Sequence, residues 1–135
     1  MSGRRLADTN LIVRYLAQDH EKHARTAAKL FEACDRGELV LVLLPEVLAE
    51  CVFVLESFYK HARKDIASAL RVLASSPGIE IDGRAIHLEA LDRYRATRAH
   101  FVDCVIASVA SAGNFPVATF DKGFRKFAGV RVNVD

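Results

Sequence analysis

Five consecutive β-prone residues, Leu39-Val40-Leu41-Val42-Leu43, stand between Gly37 and Pro45 without a polar break. An unbroken run of that length marks a strand covered on both faces, as in a parallel sheet. Helical patterns flank it on either side. Upstream, the segment from His20 to Arg36 sets Ala27, Leu30, Phe31 and Cys34 at i, i+3, i+4 and i+7, and Gly37 is placed to end it. Downstream, Pro45 suits the first turn of a helix running to Phe58. A strand between two such helices needs parallel neighbours, and the rest of the chain supplies candidates.

Arg4-Arg5-Leu6-Ala7 reads as a short first strand, followed by a helix capped by Asn10 with Leu11, Ile12, Tyr15 and Leu16 on one face. A helix from Arg63 to Ser75 turns Ile66, Ala69, Leu70 and Leu73 inward, Pro77-Gly78 makes a turn, and Ile79-Glu80-Ile81 a strand. Helices follow over Arg84 to Arg98 and Phe101 to Ala112, the second carrying the stripe Val102, Val105, Ile106, Val109 and ending at Gly113-Asn114. Val117-Ala118-Thr119 and Val130-Arg131-Val132 complete the strands. This alternation predicts an α/β fold, a three-layer α/β/α sandwich on a mainly parallel central sheet. With 135 residues and no linker or repeat, residues 1–135 read as a single domain.

Composition narrows the setting. A 51% apolar share excludes a disordered chain, while no run of about 18 apolar residues is present to span a membrane. The start, Met1-Ser2-Gly3-Arg4-Arg5, leads into an apolar patch broken at once by Asp8, unlike a secretory signal. Cys34, Cys51 and Cys104, odd in number and widely spaced, read as buried thiols of a reducing, cytoplasmic setting. The net charge of +2 neither demands nor forbids an anionic partner.

Four of the acids break this pattern. Asp8 ends the first strand, Asp121 follows the strand Val117–Thr119, Glu50 interrupts the apolar helix Val47–Leu55, and Asp103 interrupts Phe101–Ile106. In parallel α/β sheets, ligands sit beyond the carboxyl ends of strands. Buried carboxylates are costly unless paired, hydrogen-bonded or metal-bound, and few Lys or Arg lie in the same windows. The expectation is one shared cluster around a divalent cation, with all-oxygen ligation favouring Mg²⁺ or Mn²⁺ over zinc. Such a cluster supports hydrolysis of phosphodiesters. The competing reading is of separate buried acids, each held by backbone N–H groups.

The ordered set Asp8-Thr9-Asn10, Glu50 within Pro-Glu-Val-Leu-Ala-Glu-Cys, Asp103 within Phe-Val-Asp-Cys-Val-Ile-Ala, and Thr119-Phe120-Asp121-Lys122-Gly-Phe resembles a PIN domain over essentially the whole chain. More narrowly, it resembles the ribonuclease toxins of VapBC toxin–antitoxin pairs. The resemblance implies a Mg²⁺- or Mn²⁺-dependent endoribonuclease with Asp8, Glu50, Asp103 and Asp121 as catalytic, metal-binding acids and Asn10 and Thr119 as polar supports. It also implies a homodimer and a cognate VapB-type antitoxin that occupies a groove between the early helices. The family often carries an acid three residues before the Asp103 position, where this chain has His100.

Secondary candidates each have a plainer reading. His100 suits proton shuttling or phosphate contact, and equally a polar helix start. Lys122, Arg125 and Lys126 follow Asp121 and suit RNA phosphates, although basic runs are commonly solvated helix faces. Glu46 reads as a first-turn acid, and Cys51 and Cys104 as core packing. Two alternatives to the nuclease stand: a non-catalytic PIN-like interaction module, which ordinarily loses some acids, and a Mg-dependent phosphatase. Asp8-Thr9-Asn10 lacks the second Asp expected of the latter.

Overall fold

The computed structural model describes residues 3–133, which fall into two compact units that divide between Arg84 and Ala85. The first unit holds strand β1 (Gly3–Leu6), helices α1 (Thr9–Ala17) and α2 (Glu21–Asp35), strand β2 (Leu39–Val42), helices α3 (Pro45–Ser57) and α4 (Arg63–Ser75), and strand β3 (Ile79–Glu80). The sheet order is β1-β2-β3 and both pairings are parallel, with Gly3 opposite Leu39, Leu6 opposite Val42 and Leu41 opposite Ile79. This is the α/β architecture expected. Each crossover is a helix pair, because parallel neighbours cannot be joined by a hairpin.

The continuous run in β2 is covered unevenly: Leu39 and Leu41 are buried, whereas Val40 and Val42 are half-buried. β1 is exposed along its length, with Arg4 and the exposed Leu6 alternating with Arg5. There Arg4 pairs with Glu80 of β3 (Nε to Oε2, 3.2 Å). The core lies under β2 and is filled by Ile12, Val13, Leu41, Leu43, Leu48, Leu55, Ile66 and Leu70. α1 packs on α2 and α3, and α3 on α4. Gly78, just before β3, lies close against the end of α2, since a Cβ there would lie 2.8 Å from the Cys34 carbonyl carbon. Arg84, where α5 (Arg84–Ala96) begins, donates to the Ala74 carbonyl and, at 2.6 Å, to that of Ile79.

The second unit holds the rest of α5, helix α6 (Phe101–Gly113) and a 3-10 turn over Lys122–Lys126. Tyr94 and Phe101 meet edge to face at 6.1 Å between centroids, joining α5 to α6. The strands expected at Val117–Thr119 and Val130–Val132 shrink to one parallel bridge, Val117 with Val132. Pro116, lacking an N–H, limits the ladder at that end. The bridge is nevertheless well bonded: Val117 N–H donates to Arg131 O at 2.8 Å, and Asn133 N–H to Val117 O at 2.9 Å.

α6 corrects one expectation. Val102, Ile106 and Val109 are exposed, and the buried face is Phe101, Cys104, Ala107, Ser108 and Ala110. A helix apolar nearly all round does not declare its inner face, and here the small residues take it, allowing close approach. The three cysteines are buried and remain thiols rather than disulfides, as read. Among the described residues no helix is long and apolar enough to cross a membrane.

Candidate functional site

In the first unit the sheet carries the chain to Asp8. Ala7 N–H continues the pairing with a 2.9 Å bond to Val42 O, and Asp8 then turns the backbone into α1 as its N-cap. This displaces Asn10, expected as the cap, to the second helical position. An N-cap aspartate ordinarily spends its carboxylate on the N–H of the next turn. Asp8 makes no such side-chain bond, so its exposed carboxylate is free for another task.

Glu50 lies on the exposed stripe of α3 formed by Glu46, Glu50, Phe53 and Ser57, and not in the buried line with Cys51. The apolar composition of α3 conceals this, because Phe53 is itself 68% exposed. Cys51, wholly buried, has its thiol pushed up to about 12, first by burial and then by the negative charges of Glu50 and Asp8. Both carboxylates therefore act on one buried atom, and such a thiol is inert rather than nucleophilic. Its role is packing.

In the second unit, His100 caps α6 through its backbone, and Asp103 occupies the first turn, half-buried, where the helix dipole favours negative charge. His100, Asp103 and Asp121 line one cleft of about 470 Å³, together with Arg98, Gly123, Phe124, Lys126 and Phe127. Asp121 begins the 3-10 turn. Its own N–H donates to Thr119 Oγ1 at 2.9 Å, and its Oδ1 accepts from Gly123 N–H at 2.8 Å. Thr119 thus holds the backbone of Asp121 through its hydroxyl. Of the three basic residues after Asp121, Lys126 lines the cleft, while Lys122 and Arg125 are exposed without lining it.

The expectation of four buried acids is corrected for three of them: Asp8, Glu50 and Asp121 are exposed, and Asp103 alone is half-buried. A strand end, an outward helix stripe and a turn start all open to solvent, which apolar neighbours in sequence do not reveal. Among the described residues none of the four makes an ion pair, in contrast with Asp19, Glu38 and Glu80, which pair with Arg14, Arg36 and Arg4. Among the described residues, no three His, Cys, Asp or Glu side chains form a ready metal-holding group. Asp8 and Glu50 both act on the Cys51 thiol, and Asp103 and Asp121 line one cleft. Sequence reasoning missed Gly123, although Asp-x-Gly is an Asx-turn signal. It also missed Phe120, a 96% exposed ring beside Asp121.

Comparison with known proteins places these features in context. Residues 5–130 match the family model described as PIN domain, a stretch running through both units. The chain is 27% identical over 130 residues to a VapC ribonuclease of Aquifex aeolicus (strain VF5), covering 96% of each. Among solved structures, Mycobacterium tuberculosis VapC20, titled a sarcin-ricin loop cleaving toxin, aligns at 20% identity with a TM-score of 0.42, covering 96% of this chain and 99% of that one. VapBC2 of Rickettsia felis, bound to a DNA fragment from its promoter, aligns at 20% identity and a TM-score of 0.39, covering 98% of each.

Proposed function

The chain belongs to the PIN domain family, and from that premise we propose that it is a divalent-metal-dependent endoribonuclease, the toxin of a VapBC-type pair. The observation that carries this reading is the set Asp8, Glu50, Asp103 and Asp121: four carboxylates at the family's motif positions, none neutralised by a Lys or Arg among the described residues. The likeness to a VapC ribonuclease along nearly the whole chain supports the same reading.

The donor chemistry suits a hard cation. All four candidates are carboxylates, and the cysteine nearest to two of them is buried and held as the thiol, so soft-metal ligation is disfavoured. Asp8, Glu50, Asp103 and Asp121 would hold Mg²⁺ or Mn²⁺, which when bound supplies charge neutralisation at the scissile phosphate and acidifies water. The chain's own residues do the rest. Asp8 projects from the end of a hydrogen-bonded strand, which fixes its position. Glu50, exposed and unpaired, accepts a proton from attacking water. Thr119 and Gly123 hold Asp121 from backbone and side chain. Lys122, Arg125 and Lys126 attract the phosphate backbone, and His100 and Arg98 in the cleft contact phosphate near Asp103.

The cognate partner is a VapB-type antitoxin. A groove of about 330 Å³ in the first unit, lined by Tyr15, Leu16, Phe31, Ala69, Val72 and Leu73, suits an apolar segment of it. We assign the protein to the cytoplasm as a homodimer, with residues 1–135 working as a single domain. The test is direct. Partner-free protein incubated with structured RNA cleaves it in Mg²⁺ or Mn²⁺ and stops in EDTA; cleavage undiminished by EDTA overturns the metal reading.

A further inference from the structure

Gly123 does not owe its place to backbone conformation. Gly37, Gly83 and Gly129 have φ of 75°, 68° and 76°, a region that disfavours side chains, whereas Gly123 is not among the positive-φ glycines. Nor does it relieve a backbone clash of the kind found at Gly78. Apart from the adjoining residues, the three nearest atoms that a Cβ at position 123 would meet belong to one side chain: Asp121 Oδ1 at 2.9 Å, Cγ at 3.6 Å and Oδ2 at 3.7 Å. The same Oδ1 accepts the Gly123 N–H at 2.8 Å.

We propose that Gly123 is a positioning residue for Asp121, its amide holding the carboxylate and its bare Cα leaving the room that the carboxylate occupies. An exposed aspartate side chain is otherwise free to change rotamer, at a loss of alignment with whatever it serves. Thr119 Oγ1 fixes the Asp121 backbone, and Gly123 fixes the side chain above it. A methyl group at 123 has a cheap escape, since only the end of a side chain must move. The fold tolerates the change and the carboxylate does not. This inference rests on the reading of Asp121 as a cleavage acid.

Gly123→Ala is therefore expected to melt within a few degrees of wild type, as its compatible backbone allows. Its crystal structure should show the Asp121 carboxylate turned away from position 123. Its affinity for Mn²⁺, measured by titration calorimetry without RNA, should fall about tenfold or more, the loss typical when a group orienting a metal ligand is removed. RNA cleavage should fall in kcat by a similar factor. Wild-type Mn²⁺ affinity with an unmoved carboxylate overturns the proposal. Hydrogen exchange in the unaltered protein gives a second measurement, independent of how the alanine variant folds. The Gly123 amide should exchange more slowly in wild type than in Asp121→Ala, and equal rates overturn the proposal. If Asp121→Asn cleaves RNA as wild type while the amide is protected, the positioning stands and the cleavage role of Asp121 falls.

Discussion

The phenol of Tyr59 donates a 2.7 Å hydrogen bond to Oδ2 of Asp19, forty residues away in sequence, and Arg14 donates to the same oxygen at 2.8 Å. The contact ties the end of α1 to the segment after α3, beside the apolar groove that Tyr15 and Leu16 line. The Tyr59 bond, with help from Arg14, holds the Asp19 carboxyl below its ordinary value, and the same bond holds the phenol above its own.

The two shifts set a pH window. A depressed carboxyl contributes stability that is present above the ordinary value near 4 and is lost as pH falls through the lowered one. A raised phenol contributes stability that is present below about 10 and is lost as pH rises through the raised value. Tyr59→Phe should therefore melt below wild type at neutral pH. The gap between the two should close as pH falls well below the ordinary carboxylate value and again as it rises well above the ordinary phenol value, as read by melting curves on both sides of neutrality.

Asp8→Asn, Glu50→Gln and Asp103→Asn should each lower RNA cleavage by about 100-fold or more, since even groups that merely orient a metal ligand cost 10–100-fold when lost. Their folds should survive, because no ion pair is broken in any of them. Glu46→Gln and Glu80→Gln should cleave normally. The second sacrifices only the exposed pair with Arg4, worth up to about 1 kcal/mol. Wild-type cleavage by both aspartate variants would remove them from the reaction.

Phe120 presents an almost bare ring between Thr119 and Asp121, with Lys122 beyond. Stacking of an unpaired base on such a ring is worth about 1–3 kcal/mol. Phe120→Ala should weaken RNA binding by the corresponding roughly 5- to 150-fold, and Phe120→Trp should restore it, as measured by fluorescence anisotropy with a labelled loop RNA in EDTA. Equal affinity for all three proteins would exclude a base platform.

Expression alone should arrest bacterial growth, and co-expression of the adjacent antitoxin should relieve it. Asp8→Asn should be harmless yet still co-purify with the antitoxin, because an apolar groove supplies affinity apart from the acids. Leu16→Asp, placing a charge in the half-buried groove wall, should do the opposite and remain toxic beside the antitoxin. Toxicity of Asp8→Asn equal to wild type would mean that growth arrest has another cause.

Local pattern carried most of the secondary structure because each signal had an independent cause: Gly37 at positive φ past α2, Pro45 opening α3, Asn114 in the left-handed region closing α6. The parallel sheet was readable from the run at Leu39–Leu43. What local pattern could not disclose is which way an apolar helix faces. Glu50 interrupts an apolar helix and Val102 belongs to an apolar stripe, yet both lie outward, because tertiary packing alone selects the face. The same ambiguity made exposed acids look buried. Their order along the chain was nevertheless informative, since strand ends and helix starts are set by hydrogen bonding and not by burial. Gly123 illustrates the limit: its reason for being glycine is an oxygen two residues away, visible only in three dimensions.

The parallel bridge between Val117 and Val132 gives the final residues a hold on the segment that leads to Thr119 and Asp121. Arg131 adds a 3.1 Å bond to Asn114 O, clasping the exit of α6. A reading frame that stops after codon 130 keeps every candidate acid but loses these clasps. If the product harms its host as proposed, truncation there thus becomes an economical route to a harmless allele, and one that a survey of motif residues would score as intact.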